Sequence, residues 1–231
     1  RGRFFKEKTL AHYLALIDSQ NIFQKNKLAG NIIIASSKTI SNYLMPNIYY
    51  DFLSKYDDVK FDILTLNSSK IIENILNSKL DIGLIEIDIN NSNLIKEKLC
   101  DDELIIVTSD ENAPKVSFID TINKKWILRE SGSGTREIFI NALGKYANDV
   151  NIFMELQDFE EIKTILLNNK DTVTAISKHA VQKEIKNKIL FEIKLKNFEF
   201  KREFHLIYHK NKSKNLLFET FVKFLKSRFK N

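Results

Sequence analysis

Small hydroxyl residues gather at three places in the chain: Ser36-Ser37-Lys38-Thr39, Asn67-Ser68-Ser69 and Ser131-Gly132-Ser133-Gly134-Thr135. Each follows a short apolar run and opens a stretch of helical periodicity. A turn of that kind carries the unpaired N–H groups and partial positive charge of a helix N-terminus. Hydroxyls added there make a place for a small oxyanion or carboxylate without a full counter-charge. Ser, Thr and Asn also cap helices, and capping alone accounts for Asn67-Ser68-Ser69. The two glycines set Ser131 to Thr135 apart, because capping needs neither and glycine lets backbone approach a ligand closely. The turn is no Walker loop and carries no Gly-x-Gly-x-x-Gly fingerprint. Arg129 and Arg136 flank it. Either can neutralise a ligand, and Arg129 can equally brace the turn through Glu130.

Catalytic groupings are thin by comparison. His12, His179, His205 and His209 stand in no metal-ligand spacing. Cys100 precedes Asp101-Asp102 and has no basic neighbour to make it a thiolate. A single cysteine forms no internal disulfide and no zinc site. Glu160-Glu161 and Asp57-Asp58 read as solvated pairs. No metal and no cofactor is expected, and no enzyme activity. The net charge is +6, from 36 basic and 30 acidic residues. Much of the excess sits in the last segment, from Lys210 to Lys230, which reads as a solvated face. The 17 Phe fall at core spacing, with no basic-aromatic interleaving for base stacking.

These turns need elements to hold them. At 231 residues the chain is long enough for one large domain or two small ones. Arg3 to Gln24 reads as one amphipathic helix, the kind that packs on a partner. Asn31 to Ala35, Val59 to Leu64 and Asp81 to Ile85 read as strands, with helices through Ile40–Phe52 and Ile71–Leu76 between them. That β-α-β-α-β order implies a parallel sheet. Glu103 to Thr108 is a further strand, and Ala113-Pro114 breaks the chain. A second series follows: strands at Trp126–Leu128, Asn151–Leu156, Thr172–Ile176 and Ile189–Ile193, with helices between. Phe200 to Tyr208 is a long strand, and an amphipathic helix closes the chain. Two α/β lobes are therefore expected, joined near Glu103–Thr108 and Arg202–Tyr208, with a ligand crevice at the carboxyl ends of the strands. No apolar run approaches the ~20 residues of a membrane span. Arg1-Gly2-Arg3-Phe4-Phe5-Lys6 opens no export signal, and a cytoplasmic location is expected.

Six blocks, in order, carry a family resemblance: Leu28 to Ile40 with Tyr43-Leu-Met-Pro46; Leu80 to Ile85; Asp102 to Val107; Arg129 to Arg136; Ile176 to Val181; and Lys201-Arg202 with the strand after it. The chain resembles the effector-binding regulatory domain of LysR-type transcriptional regulators over nearly its whole length. The resemblance implies two Rossmann-like lobes of the type 2 periplasmic-binding-protein fold. It implies a linker and dimerisation helix over 1–27, a first lobe over 28–100 plus 209–231, and a second over 101–208. A winged helix-turn-helix domain, absent here, would reach promoter DNA. The regulatory domains would pair as an antiparallel homodimer, possibly assembling to a tetramer. A small anionic effector would lie between the lobes, at Ser36, Ser37, Lys38, Thr39, Ser68, Ser131, Gly132, Ser133, Gly134 and Thr135, with Arg129, Arg136, Thr172 and Thr174 behind them. The Ser-Gly-Ser-Gly-Thr-Arg block resembles the branch close to regulators of sulfur and carbon-fixation metabolism. One departure stands out: a loop that commonly carries Gly-x-Gly reads Lys170-Asp-Thr172, a larger, charged loop expected to narrow the cleft or add a contact. A transport solute-binding protein of the same fold is the alternative, and an enzyme on this fold would need a nucleophile–base pair that does not stand out.

Overall fold

A computed structural model describes residues 28–112, 121–195 and 198–229; the expected helix at Arg3 to Gln24 and the break at Ala113-Pro114 lie outside them. The first lobe is built from β1 (Ala29–Ser36), α1 (Lys38–Tyr43), α2 (Met45–Leu53), β2 (Asp58–Thr65), α3 (Ser68–Leu76) and β3 (Ile82–Ile85). A long strand, β4 (Leu94–Thr108), crosses out of it. The second lobe follows with β5 (Lys125–Arg129), α4 (Gly134–Leu143), a 3-10 turn (Gly144–Asp149), β6 (Ile152–Leu156), α5 (Phe159–Asn168), β7 (Thr172–Ser177), α6 (Lys178–Lys186) and β8 (Phe191–Ile193). Another long strand, β9 (Phe200–His209), crosses back, and α7 (Leu216–Ser227) ends the described chain.

The sheet order is β2-β1-β3-β9-β4-β7-β5-β6, with β8 beside β4. β1 runs parallel to β2 and β3, and β5 runs parallel to β6 and β7. β9 enters the first set antiparallel to β3, and β4 enters the second antiparallel to β7. β4 and β9 also pair with each other, Asp102 opposite Arg202. Each lobe is thus a three-stranded parallel set closed by a strand shared with the other lobe.

Two differences from the sequence reading have clear causes. The helix expected through Ile40–Phe52 is two helices, because Pro46 lies at the start of α2 and has no N–H to bond back to Asn42. β4 begins nine residues before the expected Glu103. Its first half sets Lys96-Glu97-Lys98 in a row between Ile95 and Leu99 and bulges between Lys98 and Cys100, so it lacks the continuous apolar run of a doubly covered strand.

Each lobe buries both faces of its sheet. In the first, Ile34, Phe52, Phe204 and Phe221 cover one face, and Ala35, Ile71, Ile75 and Ile207 the other. In the second, Trp126, Phe139 and Phe200 form one layer, and Ile127, Phe159, Ile162 and Ile176 the other. α7 packs on the first lobe, where the rings of Phe52 and Phe221 meet edge to face at 5.1 Å. No helix among the described residues is long and apolar enough to cross a membrane.

Candidate functional site

The three hydroxyl turns all follow the carboxyl ends of parallel strands. Ser36 ends β1, Asn67 follows β2 and Ser131 follows β5. Backbone bonds anchor the first turn to both neighbours: Ser37 N–H donates to the Leu84 carbonyl on β3 at 3.0 Å, and Leu66 N–H, just before Asn67, to the Ser36 carbonyl at 3.2 Å. The third turn reaches them from the other lobe. A Cβ on Gly132 would lie 3.3 Å from Asn67 Nδ2 and 3.4 Å from Ser69 Oγ. A Cβ on Gly134 would lie 2.6 Å from Glu86 Cγ, closer than a side chain tolerates. The two glycines therefore serve different ends. Gly132 has φ +82°, which favours glycine, and Gly134 allows the start of α4 to press on the segment after β3. The close approach that the sequence reading assigned to a ligand is, at Gly134, an approach to Glu86 and Ile87.

The hydroxyls themselves behave unequally. Ser37, Thr39, Ser68, Ser133 and Thr135 are each at most 2% exposed. Ser37 and Ser133 occupy the N-cap positions of α1 and α4, yet neither side chain caps its helix. Ser37 Oγ, Thr39 Oγ1 and Ser133 Oγ are buried without a hydrogen-bond partner. Buried polar groups are nearly always paired, and an unpaired one costs about 1–3 kcal/mol. Asn67, by contrast, caps α3 by accepting from Lys70 N–H at 3.0 Å. Ser36 falls on the face of β1 that carries Ile32 and Ile34 and is a neighbour of the Tyr49 hydroxyl. Burial pushes the Tyr49 hydroxyl up to about 12, with Ser36 as the neighbour that opposes this.

A buried charged network adjoins the turns, and the sequence reading did not single it out. Arg202 Nε donates to Asp102 Oδ2 at 2.6 Å, and Arg202 Nη1 donates to Thr135 Oγ1 at 3.0 Å. The same Nη1 lies 3.7 Å from Glu86 Oε1. Ser68 Oγ donates to Glu86 Oε2 at 3.2 Å, and Ser177 Oγ to Asp102 Oδ1 at 3.0 Å. Arg202 Nη2 is buried and unpartnered. Charged residues are almost never this buried unless paired. The legible signal was position: Arg202 stands between Phe200 and Phe204 on one strand face, and Glu86 directly follows an apolar strand.

The remaining expected residues are occupied elsewhere. Lys38 pairs with Asp158 across the lobes, and this ammonium, ahead of other causes, holds the Asp158 carboxyl below the usual range. The Tyr43 hydroxyl donates to Glu160 at 3.1 Å, a second bridge between lobes. Ser131 is exposed at the edge of the turn, lining a cavity of about 240 Å³ with Gly132, Ser133 and Arg136. Arg129 forms a two-pronged pair with Glu130 (2.8 and 3.1 Å) and lies over the Phe159 ring, which is the bracing role. Arg136 holds the Arg129 carbonyl and Glu155. Thr172 Oγ1 donates to the Asn169 carbonyl and Thr174 Oγ1 to the Ile127 carbonyl, each at 2.6 Å. Thr172 pairs in register with Lys125, at the start of β5. The hydroxyl turn follows the other end of that strand, so the loop at Lys170 to Thr172 lies a strand length from the turn. Burial, then the nearby Asp102 and Asp101, push the Cys100 thiol up to about 11, which keeps it protonated at neutral pH.

The family model described as the LysR substrate binding domain matches residues 25–230. A probable RuBisCO transcriptional regulator of Phaeodactylum tricornutum is 31% identical, over 90% of this chain and 71% of its own length. The HTH-type transcriptional regulator YeiE of Escherichia coli K12 is 27% identical, over 91% of this chain and 72% of its own. The regulatory domain of Synechocystis CcmR, solved with 2-PG, superposes with a TM-score of 0.79 at 21% identity, covering 87% of this chain and 98% of that one. That likeness is one of fold: two lobes of the type 2 periplasmic-binding-protein kind. A family match across nearly all of the sequence, on the fold that the strand order shows, leads to one conclusion: this chain belongs to the LysR substrate-binding domain family, the effector-sensing part of LysR-type transcriptional regulators.

Proposed function

We propose that a small oxyanion or carboxylate binds where the three turns meet, and that this binding biases the regulator between two states. The observation that carries the reading is a cluster among the buried polar groups without partners: beside Ser36 Oγ, Tyr49 Oη and His205 Nδ1, these include the Ser37, Thr39 and Ser133 hydroxyls and Arg202 Nη2 at the turns. Ser68 and Thr135 stand beside them, and the α4 N-terminus adds backbone N–H groups that favour negative charge. Ser36, Lys38, Ser131, Gly132 and Gly134 form the wall of the same site. Arg129, Arg136 and Thr174 support it from behind, and Thr172, at the far end of β5, takes no part. The solved complex of a similar fold with 2-PG and a relative described as a RuBisCO regulator fit a small anionic metabolite.

We set the lobe boundaries at the crossings of β4 and β9: the first lobe takes 28–100, the end of β9 from Phe204 rather than from 209, and α7, and the second takes the rest of the described residues; the linker helix expected over 1–27 lies outside the described residues. The turns close over the site, and Lys38–Asp158 and Tyr43–Glu160 bridge the lobes. Ligand entry therefore requires these bridges to part. An effector that binds the closed and open forms with different affinity shifts their populations. The shift passes through an antiparallel homodimer, or a tetramer of such pairs, to DNA-binding domains on promoter DNA. The protein works in the cytoplasm and turns nothing over.

A thermal-shift screen of the chain against phosphate, sulfate, sulfite, thiosulfate, O-acetylserine and short carboxylates tests the reading. A ligand at about a hundred times its Kd stabilises by roughly 2.7 kcal/mol. A hit that disappears in the Ser133→Ala/Thr135→Ala variant supports the site. A hit unchanged in that variant moves the site elsewhere.

A further inference from the structure

Hydroxyls and a guanidinium explain attraction to an anion, but not the carboxyl group among them. Glu86 is 3% exposed and directly follows β3. Its Oε2 accepts from Ser68 Oγ at 3.2 Å. Its Oε1 has the Arg202 guanidinium at 3.7 Å, within ion-pair reach but too long for a hydrogen bond. That guanidinium already satisfies Asp102 at 2.6 Å. One guanidinium thus faces two buried carboxyl groups, and Glu86 is the one with acceptor capacity to spare. The start of α4 lies against it, since a Cβ at Gly134 would meet Glu86 Cγ and Cδ within 3 Å. Thr135, next in the chain, accepts from the same Arg202.

We propose that Glu86 makes the site selective for oxyanions that carry a hydrogen-bond donor of their own, such as a hydroxyl, an acid proton or an ammonium group. This inference rests on the effector reading above. An oxyanion without a donor would bring its charge beside a buried carboxyl group and gain nothing from it. A ligand with a donor turns the same contact into a charge-assisted hydrogen bond. A site built to accept from its ligand rejects the analogue that lacks the donor, because the buried acceptor is then left unpaired.

Phosphate and sulfate make the test sharp. They share size and tetrahedral shape, but near neutral pH phosphate keeps a proton and sulfate has none. Glycolate and acetate form a second pair, differing by a hydroxyl. Titration calorimetry of the unmutated chain with all four should show phosphate binding roughly ten-fold or more tighter than sulfate, and glycolate tighter than acetate. Glu86→Gln removes the charge and replaces one of the two acceptor oxygens with an amide donor. It should raise sulfate affinity and bring the phosphate and sulfate values to within about three-fold. Sulfate binding as tightly as phosphate to the unmutated chain would overturn the selectivity and leave the oxyanion site standing. Binding of none of the four would overturn the oxyanion site and the selectivity together. If Glu86→Gln fails to fold, the two ligand pairs on the unmutated chain still decide.

Discussion

The turn after β2 and the turn after β5 have similar residues in similar places, and they do different work. Asn67 spends its side chain on the Lys70 N–H, and Ser68 on Glu86. Ser133 occupies the matching N-cap position and its hydroxyl bonds to nothing. Residue type alone allows a cap at both, though the two glycines already set the second turn apart. Only the partners within reach separate a hydroxyl that has finished its work in the folded chain from one held in reserve. The first turn stabilises the lobe it belongs to. The second leaves Ser133 Oγ buried and unpaired, as Ser37 Oγ and Thr39 Oγ1 are after β1; under the proposed reading, a ligand would relieve that cost.

That contrast can be broken or sharpened by measurement. The largest effect is expected for Ser133→Ala with Thr135→Ala on the affinity of the ligand found by screening. Each lost bond to a charged ligand costs about 1.5–3 kcal/mol, read by calorimetry. Ser133→Ala alone should leave the Tm of the ligand-free protein unchanged or slightly raised, since the hydroxyl it removes is unpaired. A Tm drop on the scale of a lost cap would make the two turns alike and end the contrast.

Next in size is Gly134→Ala. Its new methyl would have to displace Glu86 or Ile87, an overpacking cost of about 1–3 kcal/mol, measured by denaturant unfolding. A neutral result would show that the turn does not press on the first lobe. Asn67→Ala should follow, losing a cap of about 0.5–2 kcal/mol while ligand affinity stays the same. An affinity loss there as large as at Ser133 would erase the distinction between the turns.

The smallest effect concerns the strands beneath the turns. His205 pairs in register with Ile85, the residue before Glu86. Burial above all, then Lys96, holds its imidazole below the ordinary value, with Glu203 and Asp88 opposing. The unfolded chain takes up that proton more readily. The His205 contribution to stability is therefore intact above about pH 6.5 and is lost as the pH falls from there. Tm measured across that range should decline toward acid, and less steeply in His205→Gln. Equal slopes would take His205 out of the account.

Much of this was legible in the chain. Apolar runs such as Asn31 to Ala35 and Asp81 to Ile85 are short and uninterrupted because strands covered on both faces need them. Alternating those runs with helical periodicity was enough to imply two α/β lobes. The strand-to-helix turns were legible for the same reason, as hydroxyls where one period gives way to the other. The first half of β4 was not, because a strand that carries Lys96-Glu97-Lys98 in a row resembles a surface loop in composition. The break at Pro46 was written in the sequence but read through.

The sequence by itself determined the lobes, the parallel strand sets and the three hydroxyl turns, because these follow from local periodicity and residue type. Tertiary structure alone decided which hydroxyls stay unpaired. It also decided that Gly134 makes room for Glu86 rather than only for a ligand, and that Asp102, Arg202 and Glu86 meet. Those facts depend on contacts between positions as far apart as Asp102 and Arg202 or Ser68 and Glu86. Hydrogen bonding acts over about 3 Å, and which residues come that close is settled by how β4 and β9 cross between the lobes, not by any pattern along the chain.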